Sequence, residues 1–491
     1  MRKFFKALFL FAVLVLLPMS GLCSTRALLV ACREFITMPS LSHSVSGNLH
    51  MIGSAFLGSG LENVSVEDGT IGTPQALEAS ILDTFSAASE EDLSILYLCT
   101  HGLLSSSDDG EVYLLLGDGQ TESPLSASML YEYLKDIPGE KLLIVDACFS
   151  GALIGRGIPG QCALLGQQAS NFVAPSPFLV DPSIHVLTSA DGSESSWYYD
   201  SEHLSSGAVS YFASALASGL GLYGTPEADA NSDGLITLAE ITQHLRIAVP
   251  SSSCQLLSSY PESIYLPVTQ GARLSRPLSG FSYGASLLSS DDPTLDFSFT
   301  VSQESAVQYR VVDYDAGRWN WENALTFLDE GEEENQFLTP GRKTRSLTLN
   351  NIDPDESGYV MLQIFSVSGD EVILCSERLL AVQPKDSDAQ LSLVTSGTLM
   401  PGGQHEAAID ILLDVPAELT VSVHNAEGEL VKRLASSQLT RPSAEQVTHL
   451  YWNGCDADGK PVPAGEYTIT AETRIGTQRQ KAAANITVGT M

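Results

Sequence analysis

The chain has 491 residues, of which 59 are acidic and 25 are basic, so its formal net charge is −34. Nucleic acids and anionic membrane surfaces bind basic proteins, and this charge therefore argues against both as partners. The length, together with a hydrophobic content of 44%, indicates roughly two to four domains, each able to bury a core.

The first 24 residues have the pattern of a signal peptide. Three basic side chains lie among the first six residues, an apolar run follows over 8–17, and Pro18 interrupts it. The run is shorter than the roughly 20 residues that a membrane span needs. We therefore expect residues 1–24 to direct the protein to the extracellular space or the cell surface. The alternative is an uncleaved segment that anchors the protein in a membrane.

Strands and helices alternate from residue 25 to 272, which is typical of an α/β domain with a mainly parallel sheet. The predicted strands are 25–32, 63–66, 93–102, 111–116, 142–145, 184–189 and 264–268, and the predicted helices are 73–85, 126–134 and 207–220. Thr73 and Pro74 suit a helix cap and a first helical turn. The stretch 152–181 has weak apolar periodicity and is predicted to be a loop.

Two of these strands end in residues that could carry out covalent catalysis. The apolar run 142–145 leads into Asp-Ala-Cys148, and the run that starts at Leu93 leads into His101-Gly102. Since parallel strands deliver their carboxyl ends to one edge of the sheet, we expect Cys148 and His101 to lie close together. A thiol beside a basic imidazole is the arrangement of an activated cysteine nucleophile. Taken alone, a Cys after a strand is more often a core residue.

The segments 96–102, L-Y-L-C-T-H-G, and 145–151, V-D-A-C-F-S-G, resemble the catalytic motifs of caspase-like cysteine peptidases, the clan CD group that includes metacaspases and their bacterial relatives. The resemblance covers 25–272 and implies a three-layer α/β/α sandwich. It also implies that Cys148 attacks the scissile carbonyl, that His101 transfers protons, and that the amides of Gly102 and Cys148 form the oxyanion hole. Metacaspases usually have His where Phe149 stands.

The resemblance further implies a substrate preference. Metacaspases bind Arg or Lys with acidic residues near the Cys motif and after the next strand, and Asp146 and Asp191 stand at these places. The span 25–270 has only six basic residues, too few to favour a pocket for acidic side chains. We therefore expect a peptide or protein substrate, cleaved after Arg or Lys. The alternative is that both aspartates cap local N–H groups. Arg156 is a candidate autoprocessing site or an ordinary exposed arginine.

Residues 229–240, D-A-N-S-D-G-L-I-T-L-A-E, have the spacing of an EF-hand calcium loop. The expected Ca²⁺ ligands are the side chains of Asp229, Asn231, Asp233 and Glu240 and the carbonyl of Leu235. Gly224 and Pro226 interrupt the place of an entering helix, so the loop would be a half EF-hand or dockerin-like site, structural or regulatory. The alternative is a metal-free turn rich in Asp and Gly.

Beyond residue 275, short alternating strands replace the helical pattern and predict two β-sandwich (immunoglobulin-like) domains, 275–385 and 391–491, joined by a linker over 384–390. Residues 451–467, Y-W-N-G-C-D-A-D-G-K-P-V-P-A-G-E-Y, resemble the signature of the immunoglobulin-like domain first described in flagellar hook-capping proteins. We expect Trp452 to anchor the core of that domain. The resemblance implies no catalysis and leaves the β domains free for a cell-surface partner.

Two functions remain open at this point. The first is a secreted cysteine endopeptidase, with calcium as a structural or regulatory ion. The second is a catalytically inactive caspase-like fold used for surface binding or adhesion. A reactive Cys148 thiol would favour the enzyme, and an inert one would favour the binding protein.

Overall fold

The computed structural model describes residues 24–104, 112–156, 176–199, 208–315, 317–328, 337–349, 358–368, 371–385, 387–401, 405–443 and 447–490. The predicted signal peptide, except for its last residue, and most of the predicted loop 152–181 lie outside these residues. Within the described ranges, no helix has the length and apolar character needed to cross a bilayer.

The first unit contains strands and helices in alternation. Its strands are β1 (Thr25–Ala31), β2 (Val64–Asp68), β3 (Leu93–Cys99), β4 (His101–Leu104), β5 (Val112–Gly117), β6 (Glu122–Leu125), β7 (Glu140–Asp146), β8 (Ile184–Thr188), β9 (Tyr198–Tyr199), β10 (Val209–Ser210) and β11 (Gln255–Leu257). Its helices are α1 (Ser42–Val45), α2 (Asn48–Gly58), α3 (Pro74–Phe85), α4 (Ala127–Leu134), α5 (Tyr211–Gly219) and α6 (Leu238–Ala248), with 3₁₀ turns at Ser150–Ile154, Pro177–Val180 and Pro261–Ser263.

A six-stranded sheet forms the centre of this unit, in the order β11-β8-β7-β3-β1-β2. The five strands from β8 to β2 run parallel, and β11 is antiparallel to β8. The prediction of a mainly parallel sheet is therefore confirmed. The prediction of a last strand at 264–268 is wrong, since residues 255–257 supply that strand and 264–268 form only an isolated bridge at Tyr265.

Both faces of the sheet are covered by apolar side chains. Leu28 and Val30 of β1 pack with residues of α3 and α4, whereas Ala27 and Leu29 pack with residues of α2, α5 and α6. A strand that is buried on both faces has no need of polar alternation. This explains the nearly continuous apolar runs that mark β1, β3 and β7 in the sequence.

Side-chain caps fix where several helices begin. The hydroxyl of Thr73 accepts the backbone N–H of Ala76, with Pro74 in the first turn, and Ser126 accepts the N–H of Met129. Each bond satisfies a donor that the first turn would otherwise leave unpaired. The predicted starts of α3 and α4 are confirmed, whereas α5 begins at Tyr211 rather than at 207.

The rest of the chain is β structure. The middle unit has β12 (Leu278–Tyr283), β13 (Leu287–Ser289), β14 (Thr294–Val301), β15 (Ala306–Asp315), β16 (Arg318–Trp319), β17 (Leu325–Leu328), β18 (Gly341–Thr348), β19 (Gly358–Ser368) and β20 (Glu371–Gln383). The last unit has β21 (Ser392–Thr395), β22 (Thr398–Leu399), β23 (Ala407–Leu412), β24 (Glu418–His424), β25 (Leu430–Leu439), β26 (Val447–Trp452), β27 (Gly465–Ile475) and β28 (Gln478–Val488).

Each β unit consists of two sheets around one apolar cluster. In the last unit the order is β21-β23-β26 in one sheet and β22-β28-β27-β24-β25 in the other. Trp452 is only 1% exposed, packs 5.5 Å from the ring of Tyr467, and donates its indole N–H to the carbonyl of Cys455. Trp452 therefore lies in the core of this unit, as expected.

The β units dock directly against the α/β unit. The guanidinium of Arg441, in the last unit, donates to the backbone carbonyls of Arg246, Pro250 and Ser252. The indole of Trp319, in the middle unit, donates to the Pro250 carbonyl at 3.3 Å. Both β units thus hold the segment that follows α6.

Candidate active site

The sheet places Cys148 and His101 at one edge. Strands β3 and β7 are parallel neighbours in which Cys99 pairs with Asp146, and the two predicted catalytic residues each lie two positions further along. Gly102 touches the peptide of Cys148 so closely that an added Cβ would collide with the Cys148 carbonyl oxygen. Only glycine fits this approach.

Cys148 differs from the other cysteines in its environment. Cys32, Cys99, Cys254, Cys375 and Cys455 are free and buried, whereas Cys148 is free and partly exposed. Its Sγ contacts the carbonyl oxygen of Ser196 at 3.8 Å. Of the described cysteines, Cys148 is therefore the one that solvent or a substrate can reach.

The turn after Cys148 is made by Phe149. This residue has φ of 58°, in the left-handed region that side chains other than Gly, Asn and Asp rarely adopt, and its N–H donates to the carbonyl of Glu194 at 2.7 Å. Gly151, two residues further on, is required for close packing, because an added Cβ would lie 2.8 Å from the backbone nitrogen of Gly192.

His101 is held by a segment that the sequence analysis did not identify. Its Nε2 lies 2.8 Å from the carbonyl oxygen of Pro39, and its ring packs 4.7 Å from that of Phe35. Because a carbonyl can only accept, Nε2 carries the proton and Nδ1 is left to exchange one. In the described residues no hydrogen bond joins the imidazole to Cys148.

The Pro39 segment is itself fixed by Glu122 of β6. The carboxylate accepts the backbone N–H groups of Ile36 and Thr37, at 2.6 and 2.9 Å, and the Thr37 hydroxyl. The bonds from Thr37 are the largest cause of a lowered pKa of Glu122, and nearby His101 adds to it. This chain of contacts orients the imidazole from behind. No sequence motif indicates this arrangement, because the group that accepts the hydrogen bond from His101 is a backbone carbonyl.

Asp146 lies beneath the site as a buried carboxylate. It is 3% exposed and accepts hydrogen bonds from Asn48, Tyr97, Ser196 and Ser210, at 3.1, 3.0, 3.0 and 2.5 Å. Burial raises the pKa of Asp146, although these bonds act in the opposite direction. The four side chains that bond it are neutral, and Ser196 connects it to the segment that touches Cys148.

Asp191, the second predicted pocket residue, is not part of this network. Its carboxylate accepts the backbone N–H and the hydroxyl of Ser193, both at 2.9 Å. This is the local capping that was the alternative interpretation. Beside it, Glu194 accepts the N–H of Ser253 at 2.7 Å, and burial, followed by the charge of Asp191, raises the pKa of Glu194.

Arg156 corrects an expectation. It was a candidate autoprocessing site or an exposed arginine, yet its side chain is buried and donates to both carboxylate oxygens of Glu406, at 2.9 and 2.8 Å. The guanidinium also lies 4.5 Å from the ring centre of Tyr451 and donates to the Leu256 carbonyl. A side chain held in this way between two units is not free to enter a cleavage site.

The predicted calcium loop is folded by its own hydrogen bonds. Asp229 accepts the N–H groups of Asp233 and Gly234, at 3.1 and 3.0 Å, and Asn231 accepts the N–H of Asp233 at 2.8 Å. The oxygens of Asp229, Asn231 and Asp233 suit a hard cation. Glu240, however, accepts from the backbone and hydroxyl of Thr237 in a capping box of α6.

The donor set of this loop therefore fits calcium only in part. In the described residues, no three His, Cys, Asp or Glu side chains are grouped closely enough to hold a metal ion. Leu235, whose carbonyl is the remaining predicted ligand, donates its N–H to Asp233 at 2.8 Å. To bind the ion, the Glu240 carboxylate would have to give up its hydrogen bonds with Thr237.

A large cavity lies where the three units meet, and its wall includes Trp197, which directly follows the Ser196 that contacts Cys148. Its volume is about 570 Å³. The lining residues are Glu194, Trp197, Tyr198, Tyr211, Pro250, Ser251, Ser253, Tyr314, Gly317, Arg318, Trp319, Asn320, Trp321, Glu322, Arg441 and Pro442. Sequence analysis did not predict it, because its walls come from three units.

Comparison with known proteins identifies the last unit. Residues 397–476 match the FlgD Ig-like domain family, which confirms the assignment that rested on the residues around Trp452. The matched segment is a minor part of the chain, and it says nothing about the α/β unit. A search of curated protein sequences finds no match.

Three solved structures illustrate the structural comparisons. Caspase-1 from Spodoptera frugiperda is 14% identical with a TM-score of 0.33, over 52% of this chain and 92% of that one. A Geobacter sulfurreducens protein is 13% identical with a TM-score of 0.33, over 51% and 99%. Dimeric latent PorU from Porphyromonas gingivalis is 12% identical with a TM-score of 0.19, over 48% and 24%. Since these values are low, they carry no argument about this chain.

Proposed function

We propose that this protein is a cysteine endopeptidase in which Cys148 is the nucleophile and His101 is the acid and base. The observation that carries the proposal is the meeting of a partly exposed thiol, an oriented imidazole and the Gly102 backbone at one edge of the sheet. We also propose that the α/β unit is a caspase-like three-layer sandwich, with apolar helical faces on both sides of its sheet.

The proposed reaction is acyl transfer in two steps. His101 accepts the thiol proton at Nδ1, and the Cys148 sulfur attacks the scissile carbonyl carbon. The C–N bond breaks as His101 gives the proton to the leaving amine, and a thioester remains on Cys148. Water then attacks the thioester with His101 as base, the C–S bond breaks to release the acid, and His101 returns the proton to the Cys148 sulfur. The backbone amides of Gly102 and Cys148 stabilise the oxyanion in both steps.

Asp146 supports the proposal that cleavage follows Arg or Lys. Asp146 is a buried carboxylate whose hydrogen-bond donors are all neutral, and burial raises its pKa. A cationic side chain would stabilise its charged form, because the attraction between opposite charges is strong at low dielectric. Ser196 joins Asp146 to the segment that contacts Cys148. For Asp191 to bind the cationic side chain as well, its carboxylate would first have to give up the hydrogen bond from the N–H of Ser193.

Paired fluorogenic peptides that differ only in Arg, Lys or Asp at the cleaved position test both parts of the proposal. We expect wild type to cleave the Arg and Lys peptides and Cys148→Ala to cleave neither. The control Cys32→Ala, which removes a buried thiol, should cleave both. Asp146→Asn should lower kcat/KM for the Arg peptide about 100-fold. A clear preference for Asp would refute the specificity. An inert Cys148 thiol in labelling experiments would favour the inactive binding protein instead.

We further propose that the loop 229–240 binds Ca²⁺ through Asp229, Asn231, Asp233, Glu240 and the carbonyl of Leu235, as a structural or regulatory ion. The Asp229 carboxylate already accepts the backbone N–H groups of Asp233 and Gly234 in the turn. Calorimetric titration of wild type and Glu240→Gln with Ca²⁺ tests this, and equal heats in the two proteins would count against the site.

The proposed location is the extracellular space or the cell surface, reached through residues 1–24, with an uncleaved membrane anchor as the alternative. The β units are proposed to contact a cell-surface partner, and the acidic net charge of −34 again speaks against nucleic acid. Mass determination of the exported protein would distinguish a cleaved from a retained leader.

A further inference from the structure

The cavity at the junction of the three units is unusually rich in aromatic side chains. The chain has four tryptophans, and three of them, Trp197, Trp319 and Trp321, line this one cavity. Trp197 and Trp321 are 55% and 48% exposed. Exposed aromatic side chains that line one cavity of about 570 Å³ are typical of a ligand site.

The segment 194–197 links the cavity to the proposed catalytic site, because it contributes wall residues and also contacts Cys148 and Phe149. Ser196, whose carbonyl contacts the Cys148 sulfur at 3.8 Å, directly precedes Trp197. Glu194, another wall residue, accepts the N–H of Phe149 with its carbonyl. An extended peptide advances about 3.3 Å per residue. A substrate whose carbonyl lies at Cys148 therefore reaches the cavity within a few residues.

The walls are already arranged before any ligand binds. Trp319 donates its indole N–H to the Pro250 carbonyl and packs edge-on against Tyr314, with ring centres 5.3 Å apart. A rigid wall loses little conformational freedom on binding. Trp321 follows two residues later, in the 3₁₀ turn Trp321–Asn323. The middle unit thus presents a fixed aromatic surface to the α/β unit.

The charges around the cavity balance. Its walls include two carboxylates, Glu194 and Glu322, and two guanidinium groups, Arg318 and Arg441. Arg441 is already engaged by backbone carbonyls. The cavity therefore has no net charge with which to select an ionic group. Its aromatic surface favours a flat or bulky apolar group.

From this arrangement we infer that the cavity is a specificity site of the proposed peptidase, which binds a bulky aromatic side chain of the peptide substrate close to the cleaved bond. Trp321 and Trp319 of the middle unit form part of its wall. This inference rests on the proposed function, and it gives the middle unit a direct part in substrate selection. The substrate class is a peptide with Phe, Tyr or Trp near the cleaved position.

The experiment compares peptides that carry the same cleaved residue and differ only in Phe or Ala at each of the three positions before it. For wild type, Phe at one of these positions should raise kcat/KM about tenfold over Ala, the size of one well-packed aromatic contact. Trp321→Ala should reduce this ratio below about twofold, by the same reasoning. The control Phe337→Ala should retain the tenfold ratio. Phe337 is an aromatic residue of the same unit that is equally exposed at 48% and lies outside the cavity. Equal ratios in the two variants would overturn the inference.

A binding measurement separates this inference from the catalytic proposal. Fluorescence titration of Cys148→Ala with the Phe and Ala peptides should show about tenfold tighter binding of the Phe peptide. The double variant Cys148→Ala with Trp321→Ala should bind the two peptides equally. If wild type cleaves neither peptide but this difference is present, the catalytic proposal fails, and only the part of the inference that places a binding site for aromatic side chains in the cavity stands. Equal binding of the two peptides, or binding of a soluble oligosaccharide that Trp321→Ala abolishes, would overturn it.

Discussion

Glu406→Gln is the most informative perturbation of the interface between units. Glu406 accepts from Arg156 at 2.8, 2.9 and 3.2 Å, and the two side chains are only 5% and 6% exposed. Removing one partner of a buried ion pair leaves the other charge buried without compensation, at a cost of about 3–5 kcal/mol. We therefore expect this loss in the free energy of unfolding, measured by urea denaturation and tryptophan fluorescence.

The matched control is Glu472→Gln in the same unit. Glu472 pairs with Lys481 at 2.7 Å, but these side chains are 55% and 58% exposed, and a pair in water contributes only about 0–1 kcal/mol. The double variant Arg156→Met with Glu406→Gln should be less destabilised than the sum of the single variants, because neither charge is then left alone. Equal losses for the two Gln variants, or strict additivity in the cycle, would refute the reasoning.

Glu406→Gln should also alter the proposed catalytic site. The backbone of Arg156 donates its N–H to Gly151 and accepts that of Gly192, at 3.0 and 3.2 Å, and both glycines pack around the turn after Cys148. Release of the Arg156 side chain should loosen this turn. We expect kcat/KM of Glu406→Gln to fall about tenfold at temperatures where the protein remains folded, since small displacements of reacting groups lower rates strongly.

Two further predictions concern the site and the buried charge of the middle unit. Gly102→Ala should lower kcat/KM about 100-fold, because the new Cβ must displace the Cys148 peptide, and a rate within a few-fold of wild type would contradict this. Burial raises the pKa of Glu377 from 4.5 to about 7, against the bond from Gln363. The folded state therefore binds the extra proton, and stability should fall by about 3 kcal/mol as pH rises from 4.5 to about 7. The difference in unfolding free energy between wild type and Glu377→Gln across this range measures the effect, and a flat difference would contradict it.

The sequence predicted the parallel sheet, and it predicted that the carboxyl ends of β3 and β7 lie close together. Apolar runs buried on both faces mark β3 and β7, and parallel pairing brings their carboxyl ends together. His101 and Cys148 could therefore be predicted as neighbours. The cap at Thr73 and the core position of Trp452 were equally predictable, because each depends on local hydrogen bonding or on a short motif.

Other features depend on contacts that local sequence does not encode. The carbonyl of Pro39 carries no residue-type signal, yet it orients His101 across 62 positions. The left-handed backbone of Phe149 contradicts the ordinary preference of that residue. Arg156 looked like a loop residue open to cleavage, and only the docking of the last unit buries it against Glu406.

By itself, then, the sequence determined the types of the secondary-structure elements, the strand ends that carry Cys148 and His101, and the identity of the last unit. These follow from periodicity and short-range chemistry, which act within a few residues. The tertiary structure alone decided which imidazole nitrogen of His101 can exchange a proton, which aspartate lies beneath Cys148, and that three tryptophans share one cavity. Each of these depends on packing between segments tens to hundreds of residues apart, where many pairings satisfy the same local preferences and the complete set of contacts selects one.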